Sequence, residues 1–244
     1  MSMNNVDSSN ISSLKVAIER KQLVTYTLKG SFMLTYILLL TTGTITLIEA
    51  LRTSIPNVRH IMNLETVISI VAGYFYSTFI SKLDTYEKEG KSIDWEDITK
   101  TRYLDWSITT PIMLLGLCIV LTHNVNKKVR FSSMMLIIAL NYTMLLLGYL
   151  GEIQVINRIV ALIGGFIPFF AMFYIIYIRY VKPYNNSVNK FLLGFYVFFW
   201  SFYGIVYEFP IEYKNIILNI LDLIAKCLIG IGFWIYYTNL LVWK

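Results

Sequence analysis

Seven long runs of apolar residues, separated by short polar stretches, make up most of the chain. A helix of about 20 apolar residues crosses the hydrocarbon core of a bilayer, and each run is close to that length. The pattern therefore predicts an all-α membrane protein, built as a bundle of seven transmembrane helices. The predicted spans are Ser31–Leu51, Ile61–Leu83, Arg102–Leu121, Phe131–Leu150, Ile159–Tyr180, Val188–Tyr207 and Ile216–Leu240.

The chain divides into two predicted regions. Residues 1–30 form a polar lead, in which segment 11–23 has the apolar spacing of a short amphipathic helix on the membrane surface. Residues 31–244 form a single domain that contains all seven spans. Because the connecting loops are short, spans that follow one another in sequence should be neighbours in the bundle.

Composition supports the membrane assignment and excludes other classes. The 244 residues are 56% hydrophobic and 15% charged, which excludes an ordinary soluble domain and makes the lipid bilayer a partner. The net charge of +6 is spread over the loops, which suits a membrane surface better than nucleic acid. Cys118 and Cys227 lie inside spans, so we expect small core residues and neither a disulfide nor a metal site.

Loop charges predict the orientation, because cytoplasmic loops are enriched in lysine and arginine. Basic residues dominate the loops after the first, third and fifth spans, whereas the connection between the second and third spans carries six acids against three lysines. We therefore expect a multi-pass protein with an extracellular N-terminus and a cytoplasmic C-terminus. Lys15, Arg20, Lys21 and Lys29 conflict with this orientation, since they fall on the outer side.

Two spans carry charged residues where a charge is costly. Asp222 and Lys226 lie within the seventh span, four residues apart and therefore on one helix face. A charge at the bilayer centre costs at least about 2.5–3.5 kcal/mol, so such residues are rare and usually functional. In the third span, Asp105, Thr109 and Gly116 share one face. The simplest arrangement is a buried amine that faces two carboxylates; a structural ion pair or a polar staple between helices is the alternative.

Aromatic residues are concentrated near these charges. Trp106 follows Asp105, and the sixth span carries one stripe of three aromatic residues, Trp200, Tyr203 and Tyr207. The fifth span adds Phe166, Phe169, Phe170 and Phe173. An aromatic stripe is usually core, but beside a buried lysine it can line a slot for a flat apolar ligand. A lysine in an apolar pocket loses its proton readily and forms Schiff bases with aldehydes.

Four segments resemble the microbial (type 1) rhodopsins, and the match extends over all seven spans. RYLDWSITTP (Arg102–Pro111) is similar to the third-helix signature of that family, and LDLIAK (Leu221–Lys226) to its retinal-lysine signature in the seventh helix. GYLGE (Gly148–Glu152) resembles the end of the fourth helix in proteorhodopsins, and WSFYGIVY (Trp200–Tyr207) the sixth-helix wall of the pocket. The third- and seventh-helix signatures, present together in this order, are highly specific.

The resemblance implies all-trans retinal bound to Lys226 as a protonated Schiff base. It implies Asp105 as primary counterion and proton acceptor, and Asp222 as second counterion. Thr109 would hydrogen-bond Asp105, and Arg102 would be a movable cation on the release side. The residues implied as walls of the pocket are Trp106, Thr110, Met113, Trp200, Tyr203 and Tyr207. We expect a light-driven transporter or photoreceptor and not an enzyme, with protons as the transported ion and a homo-oligomer as the assembled state.

The sequence departs from the family at three positions. The place of the cytoplasmic proton donor, eleven residues after Asp105, is Gly116. The usual sixth-helix proline is Gly204, and the second-helix histidine of proteorhodopsins is Phe75. Asp105, Thr109 and Gly116 together resemble a proteorhodopsin-like group named for Asp-Thr-Gly or Asp-Thr-Ser. That group includes outward proton pumps, and relatives occur in giant viruses.

The leading hypothesis is a light-driven outward proton pump in which Asp105 accepts the proton. Because Gly116 supplies no carboxylate donor, we expect the return proton to come by water from the cytoplasm. A sensory rhodopsin is the second hypothesis. A light-gated cation channel is the third, and it is disfavoured because its familiar form carries a row of glutamates on the second helix.

Four further acids lie near the ends of the spans. Glu65 and Glu49 are near the cytoplasmic face and could gather protons there. Glu208 and Glu212 are the candidates for proton release on the outer side. For each of them, a solvated helix end or loop is the alternative.

Overall fold

The computed structural model describes residues 3–238, with side chains from residue 15 onward except at positions 17, 18 and 21. Seven helices in this range are long and apolar enough to cross a membrane, which confirms the predicted seven-helix bundle. They are α1 (Met3–Arg52), α2 (Pro56–Lys88), α3 (Trp95–His123), α4 (Phe131–Glu152), α5 (Arg158–Tyr184), α6 (Ser187–Val206) and α7 (Ile211–Thr238).

Most helices extend beyond the predicted spans, because polar helix-forming residues continue them after the apolar run stops. The sixth helix is the exception, since it ends one residue before the predicted Tyr207. Residues 239 and 240 of the seventh predicted span lie outside the described range.

The first helix is much longer than a bilayer requires. It runs without a break for 50 residues, about 75 Å at 1.5 Å per residue, against roughly 30 Å for the hydrocarbon core. Segment 11–23, for which the sequence predicts a short amphipathic helix, lies within α1. The polar residues end the apolar span without ending the helix, since Glu, Arg, Lys and Gln are good helix formers.

Successive helices run in opposite directions, so the bundle has two sides. The N-terminal side is the one where α3, α5 and α7 begin, and the C-terminal side is the one where they end. The first helix packs against both α2 and α7, and α4 packs against α5. Neighbours in sequence are therefore neighbours in space, and the contact between α1 and α7 closes the bundle.

Polar side chains fix the starts of three helices. Asp94, Asn157 and Asn186 each accept a hydrogen bond from a backbone N–H in the first turn of α3, α5 and α6, respectively. Such a cap satisfies a donor that has no partner within the helix. The charged residues of α3 therefore follow a defined helix start on the N-terminal side.

Two buried apolar clusters hold the bundle together. The larger combines α3, α5 and α6, with Leu114, Phe173 and Tyr196 among its members. The smaller lies between α1 and α2, where the ring of Phe32 is 5.0 Å from that of Phe79. Cys118 belongs to the larger cluster and Cys227 to the smaller, as expected of core residues. The charged site lies between the two clusters.

Gly43 allows α1 and α2 to approach each other closely. A Cβ at this position would lie 3.2 Å from Ser69 Cβ and 3.8 Å from Ile70 Cγ1. We expect Gly43→Val to lower the free energy of unfolding by roughly 1–3 kcal/mol through overpacking. The matched control is Gly194→Val in α6, where a Cβ would meet nothing within 4 Å. Thermal unfolding in detergent, followed by circular dichroism, compares the two, and equal melting temperatures would contradict a tight α1–α2 contact.

Candidate functional site

Lys226 lies in the interior of the bundle, with 1% of its side chain exposed. Its Nζ donates hydrogen bonds to Asp105 Oδ2 at 2.7 Å and to Asp222 Oδ2 at 3.3 Å. Both carboxylates are fully buried. A lone charge in such surroundings would be strongly destabilising, so the ammonium depends on these two partners. The structure thus brings together the amine and the two acids that the sequence predicted to face each other.

The helix that carries Lys226 is widened at this point. It is α-helical to Asp222, π-helical from Leu223 to Leu228 and α-helical again from Ile229. A π-helical turn holds an extra residue, and such turns are frequent at functional sites. Lys226 lies inside the widened segment and still reaches Asp222 on the preceding turn.

Asp222 is held by donors from three other helices. Tyr76 Oη of α2 donates a hydrogen bond at 3.0 Å, and Tyr203 Oη of α6 donates one at 2.8 Å. Trp106 Nε1 of α3 donates at 3.4 Å, and Arg102 Nη1 lies 3.8 Å from Oδ2. This carboxylate is therefore fixed in position, and its negative charge is compensated from several directions.

Arg102 lies on the N-terminal side of the two acids. Its Nη2 donates to Asn215 Oδ1 at 3.0 Å and to Asn219 Oδ1 at 2.8 Å, both on α7. The guanidinium carbon lies 5.5 Å from the ring centre of Phe32 and 5.0 Å from that of Phe79. Among the described residues, no group accepts a hydrogen bond from its Nε or Nη1. The guanidinium is therefore buried with two donor atoms unused.

Asp105 has fewer partners than Asp222. Besides Lys226, its carboxylate accepts a hydrogen bond from Thr109 Oγ1 at 3.3 Å, and the same hydroxyl is 2.9 Å from the backbone carbonyl of Asp105. One residue further along α3, Thr110 Oγ1 accepts a hydrogen bond from Asn141 Nδ2 at 2.8 Å. The second contact ties α3 to α4 beside the site.

A cavity extends from Lys226 between the helices and is lined mostly by apolar groups. Phe166 and Phe169 contribute to its wall, whereas Phe170, predicted with them, is 55% exposed on another face of α5. Gly204 lets α6 approach Phe166, since a Cβ there would lie 2.5 Å from the ring. All six wall residues implied by the resemblance line the cavity: Trp106, Thr110, Met113, Trp200, Tyr203 and Tyr207. An apolar cavity with a few convergent polar groups is typical of a cofactor site.

On the C-terminal side of Lys226, Glu65 is buried and not solvated. Only 2% of the residue is exposed. A Cβ on Gly116 would lie 3.6 Å from Glu65 Oε1, and a Cβ on Gly230 would lie 3.2 Å from Oε2. The sequence left a solvated helix end open as the alternative for Glu65. The structure instead places this carboxyl of α2 inside the bundle, packed against Gly116. Glu49, by contrast, is half-buried near the end of α1.

Four partners in the site were not predicted from the sequence: Tyr76, Asn141, Asn215 and Asn219. Asn215 and Asn219 precede Asp222 by seven and three residues, so helical spacing could have placed them on its face. Asn141 is marked only by its polarity within an apolar span. Tyr76 stands in a run of aromatic residues, and nothing in the sequence distinguishes it from its neighbours.

Fold and site together define a class: seven-helix membrane proteins with a buried lysine paired to two acids beside an aromatic cavity. The sequence model of the family described as bacteriorhodopsin-like protein matches residues 27–240. The chain therefore belongs to the bacteriorhodopsin-like family, the microbial rhodopsins, whose chromophore is retinal.

Solved structures agree with this assignment. The viral rhodopsin OLPVRII is 45% identical over 87% of this chain and 98% of its own, with a TM-score of 0.80. The proton pumping rhodopsin AR2 from the marine alga Acetabularia acetabulum is 21% identical (88% and 96% covered, TM-score 0.72). Xanthorhodopsin, a light-driven ion pump with dual chromophore, is 20% identical (86% and 92% covered, TM-score 0.71). At 20–21% identity, the similarity to AR2 and to xanthorhodopsin shows a shared fold and nothing more. No curated protein sequence matches the chain significantly.

Proposed function

We propose that this protein is a light-driven outward proton pump. The observation that carries the proposal is the position of three buried carboxyl groups around Lys226. Asp105 and Asp222 contact its amine, and Glu65 is buried towards the C-terminal side. A pump needs an acceptor on one side of the switching group and a source of protons on the other. An acid at Asp105 also argues against a chloride pump, which would carry a neutral residue there.

The residues of the cavity fit retinal. Lys226 would hold it through an imine bond, and the rings of Trp106, Trp200 and Tyr203 would flank its flat chain. When bound, retinal supplies light absorption and a change of shape on isomerisation from the all-trans form. The protein holds the proton at the Lys226 nitrogen and determines where that proton goes.

Asp105 is the better acceptor for that proton. Its Oδ2 is 2.7 Å from Lys226 Nζ, against 3.3 Å for Asp222. Asp222 accepts hydrogen bonds from Tyr76, Tyr203 and Trp106, and such donors stabilise the charged form of a carboxylate. Thr109 is the one further side chain that donates to Asp105 among the described residues. The proton therefore moves to Asp105, and Asp222 stays as the fixed negative charge.

Glu65 returns a proton from the other side. Its carboxyl is enclosed between α3 and α7, where Gly116 and Gly230 leave room for it. Burial favours the uncharged form of a carboxyl, which carries the proton to be donated. In this arrangement α2 performs the role that the third helix has in relatives with an acid at the position of Gly116.

The N-terminal side faces the outside in this proposal. Lys127, Lys128 and Arg130 then lie at the cytoplasmic surface, as loop charges require. Lys29 lies on the outer side in this orientation, but its Nζ is 2.6 Å from Asp84 Oδ1 and 2.5 Å from Glu87 Oε2. Its charge is thus compensated by acids of α2.

The first test concerns the attachment of retinal. Lys226→Ala removes the amine, so we expect a helical protein that gives no visible absorption band with all-trans retinal, whereas the unmodified protein becomes coloured. Lys226→Arg keeps a cation between the two acids but cannot form an imine, and it should also stay colourless. Lys82→Ala, which breaks a half-buried pair with Asp97 outside the site, is the control that keeps its colour. A visible band in Lys226→Arg would refute the attachment site.

The second test concerns the direction of transport and the acceptor. Illuminated cells that hold the unmodified protein should acidify their medium, and Asp105→Asn should reduce this at least tenfold because the acceptor is lost. Asp97→Asn, on the same helix near the surface, should leave it unchanged. Currents across a lipid membrane separate the other hypotheses, since a sensor gives none and a channel gives a passive current that reverses with voltage. Normal acidification by Asp105→Asn would transfer the acceptor role to Asp222.

The third test concerns the return of the proton. With Glu65 as donor, recovery of the visible band after a flash should change little between mildly acidic and alkaline pH. Glu65→Gln removes the donor, so recovery should then slow roughly tenfold per pH unit, in proportion to the bulk proton concentration. Glu49→Gln, at the end of α1, is the matched control. A tenfold dependence already present in the unmodified protein would show that bulk water supplies the proton directly.

A further inference from the structure

A buried ion pair lies between the site and the N-terminal surface. Lys214 Nζ of α7 is 2.8 Å from Oε1 and 2.9 Å from Oε2 of Glu152, the last residue of α4. Only 8% of the Glu152 side chain and 6% of the Lys214 side chain are exposed. Arg158 Nη1 reaches the same carboxylate at 3.2 Å. Burying two charged groups costs hydration free energy that their mutual attraction barely offsets. Stabilisation of the fold is therefore a weak explanation for a buried ion pair.

The sequence around Glu152 explains why it lies inside the bundle. A Cβ on Gly148 would lie 2.8 Å from Tyr103 Oη, and one on Gly151 would collide with Tyr207 Oη. Tyr207 Oη in turn donates a hydrogen bond to the carbonyl of Gly148 at 3.1 Å. The two glycines thus let the last turn of α4 approach α3 and α6, and this directs Glu152 inward.

Glu152 and Lys214 form a common wall between two cavities. The cavity that begins at Lys226 and passes Arg102 is lined at its far end by Glu152 and Lys214. A second, more polar cavity on the N-terminal side is lined by the same two residues, together with Arg158 and Glu208. The buried Arg102 also lines the first cavity. A proton that moves outward from the site through these two cavities would pass the ion pair.

We propose that Glu152 is the exit relay of the pump and that Lys214 is the residue that positions it; this rests on the proposed function. The carboxyl group of Glu152 accepts hydrogen bonds from Lys214 and Arg158, and a carboxylate oxygen is able to take up a proton. The O–H bond at Asp105 breaks, an O–H bond forms at Glu152, and the same proton then passes to water in the outer cavity. One proton is transferred in each step, and no electrons are exchanged.

The surroundings distinguish Glu152 from the release candidates of the sequence. Glu208 is 41% exposed and pairs with Arg158 at 3.5 Å, so bulk water reaches it directly. Glu212 lies in the first turn of α7 and lines neither cavity. The other titratable groups near Glu152 are the phenols of Tyr103 and Tyr207. Among these acids, Glu152 is the one that lines both cavities.

The experiment measures the appearance of protons outside with a pH-sensitive dye after a flash, alongside the loss and return of the visible band. In Glu152→Gln we expect proton release to be delayed at least tenfold, whereas loss of the proton from the Lys226 nitrogen stays within twofold. Glu96→Gln, an exposed acid that lines the outer cavity, is the matched control and should release normally. A delay in Glu208→Gln and none in Glu152→Gln would overturn the relay.

A double variant and a conservative variant separate a relay from a structural pair. Glu152→Gln/Lys214→Gln removes both charges of the pair and leaves Arg158 its contact with Glu208, so it should match the unmodified protein in colour and thermal stability while release stays slow. Glu152→Asp keeps a carboxylate beside Lys214 and Arg158, and its release should stay close to that of the unmodified protein. Fast release in the neutral double variant would show that the pair serves stability only.

Proton release by the unmodified protein distinguishes a failure of the proposed relay from a failure of the proposed pump on which the relay rests. If light drives no proton release from it, the pump and the relay fail together. If it releases protons outward and Glu152→Gln does so with the same delay, the relay alone is wrong and the pump stands.

Discussion

The structure depends on one ammonium group that has no access to water. Lys226 can carry its charge in the interior only because Asp105 of α3 and Asp222 of α7 both lie within ion-pair distance. This requirement fixes the register of two helices that are far apart in sequence. It extends outward, since Asp222 is positioned by tyrosines of α2 and α6. Four side chains, one from each of four helices, are thus ordered around a single nitrogen atom.

The two sides of that nitrogen differ, and the difference gives the bundle a direction. On the N-terminal side, Arg102 donates hydrogen bonds to Asn215 and Asn219, and the Glu152–Lys214 pair lines the same cavity as Arg102. On the C-terminal side, Glu65 lies among apolar groups and small residues. A charge on the first side has polar partners, whereas a charge on the second side would lie among apolar groups. The asymmetry follows from which side chains are buried, and it exists before any light is absorbed.

The fold was largely predictable from the sequence, because bilayer thickness sets the length of every apolar run and short loops leave few topologies. The lysine and the two acids were predictable for a related reason, since charges stand out in apolar spans. Tyr76 and Glu65 show where this reasoning stops. The sequence around Tyr76 is rich in aromatic residues, so nothing in it indicates that this tyrosine has a polar partner. Glu65 lies one turn inside the predicted span, where an acid at a solvated helix end would also lie. Their roles depend on which helix lies opposite, and one span viewed alone contains no such information.

Glu65 also shows that the location of a carboxyl group depends on how the helices pack and not only on its position in the chain. When α3 is compared residue by residue with relatives that have an acid at this position, Gly116 leaves it without a carboxyl. The same glycine makes room, together with Gly230, for a carboxyl that arrives from α2. The N-terminal side repeats the pattern, since Gly148 and Gly151 let α4 bring Glu152 inward. In both places glycines allow two helices to approach closely, and this approach determines where the carboxyl group lies. The positions of the two carboxyl groups therefore depend on the glycines as well as on the acids.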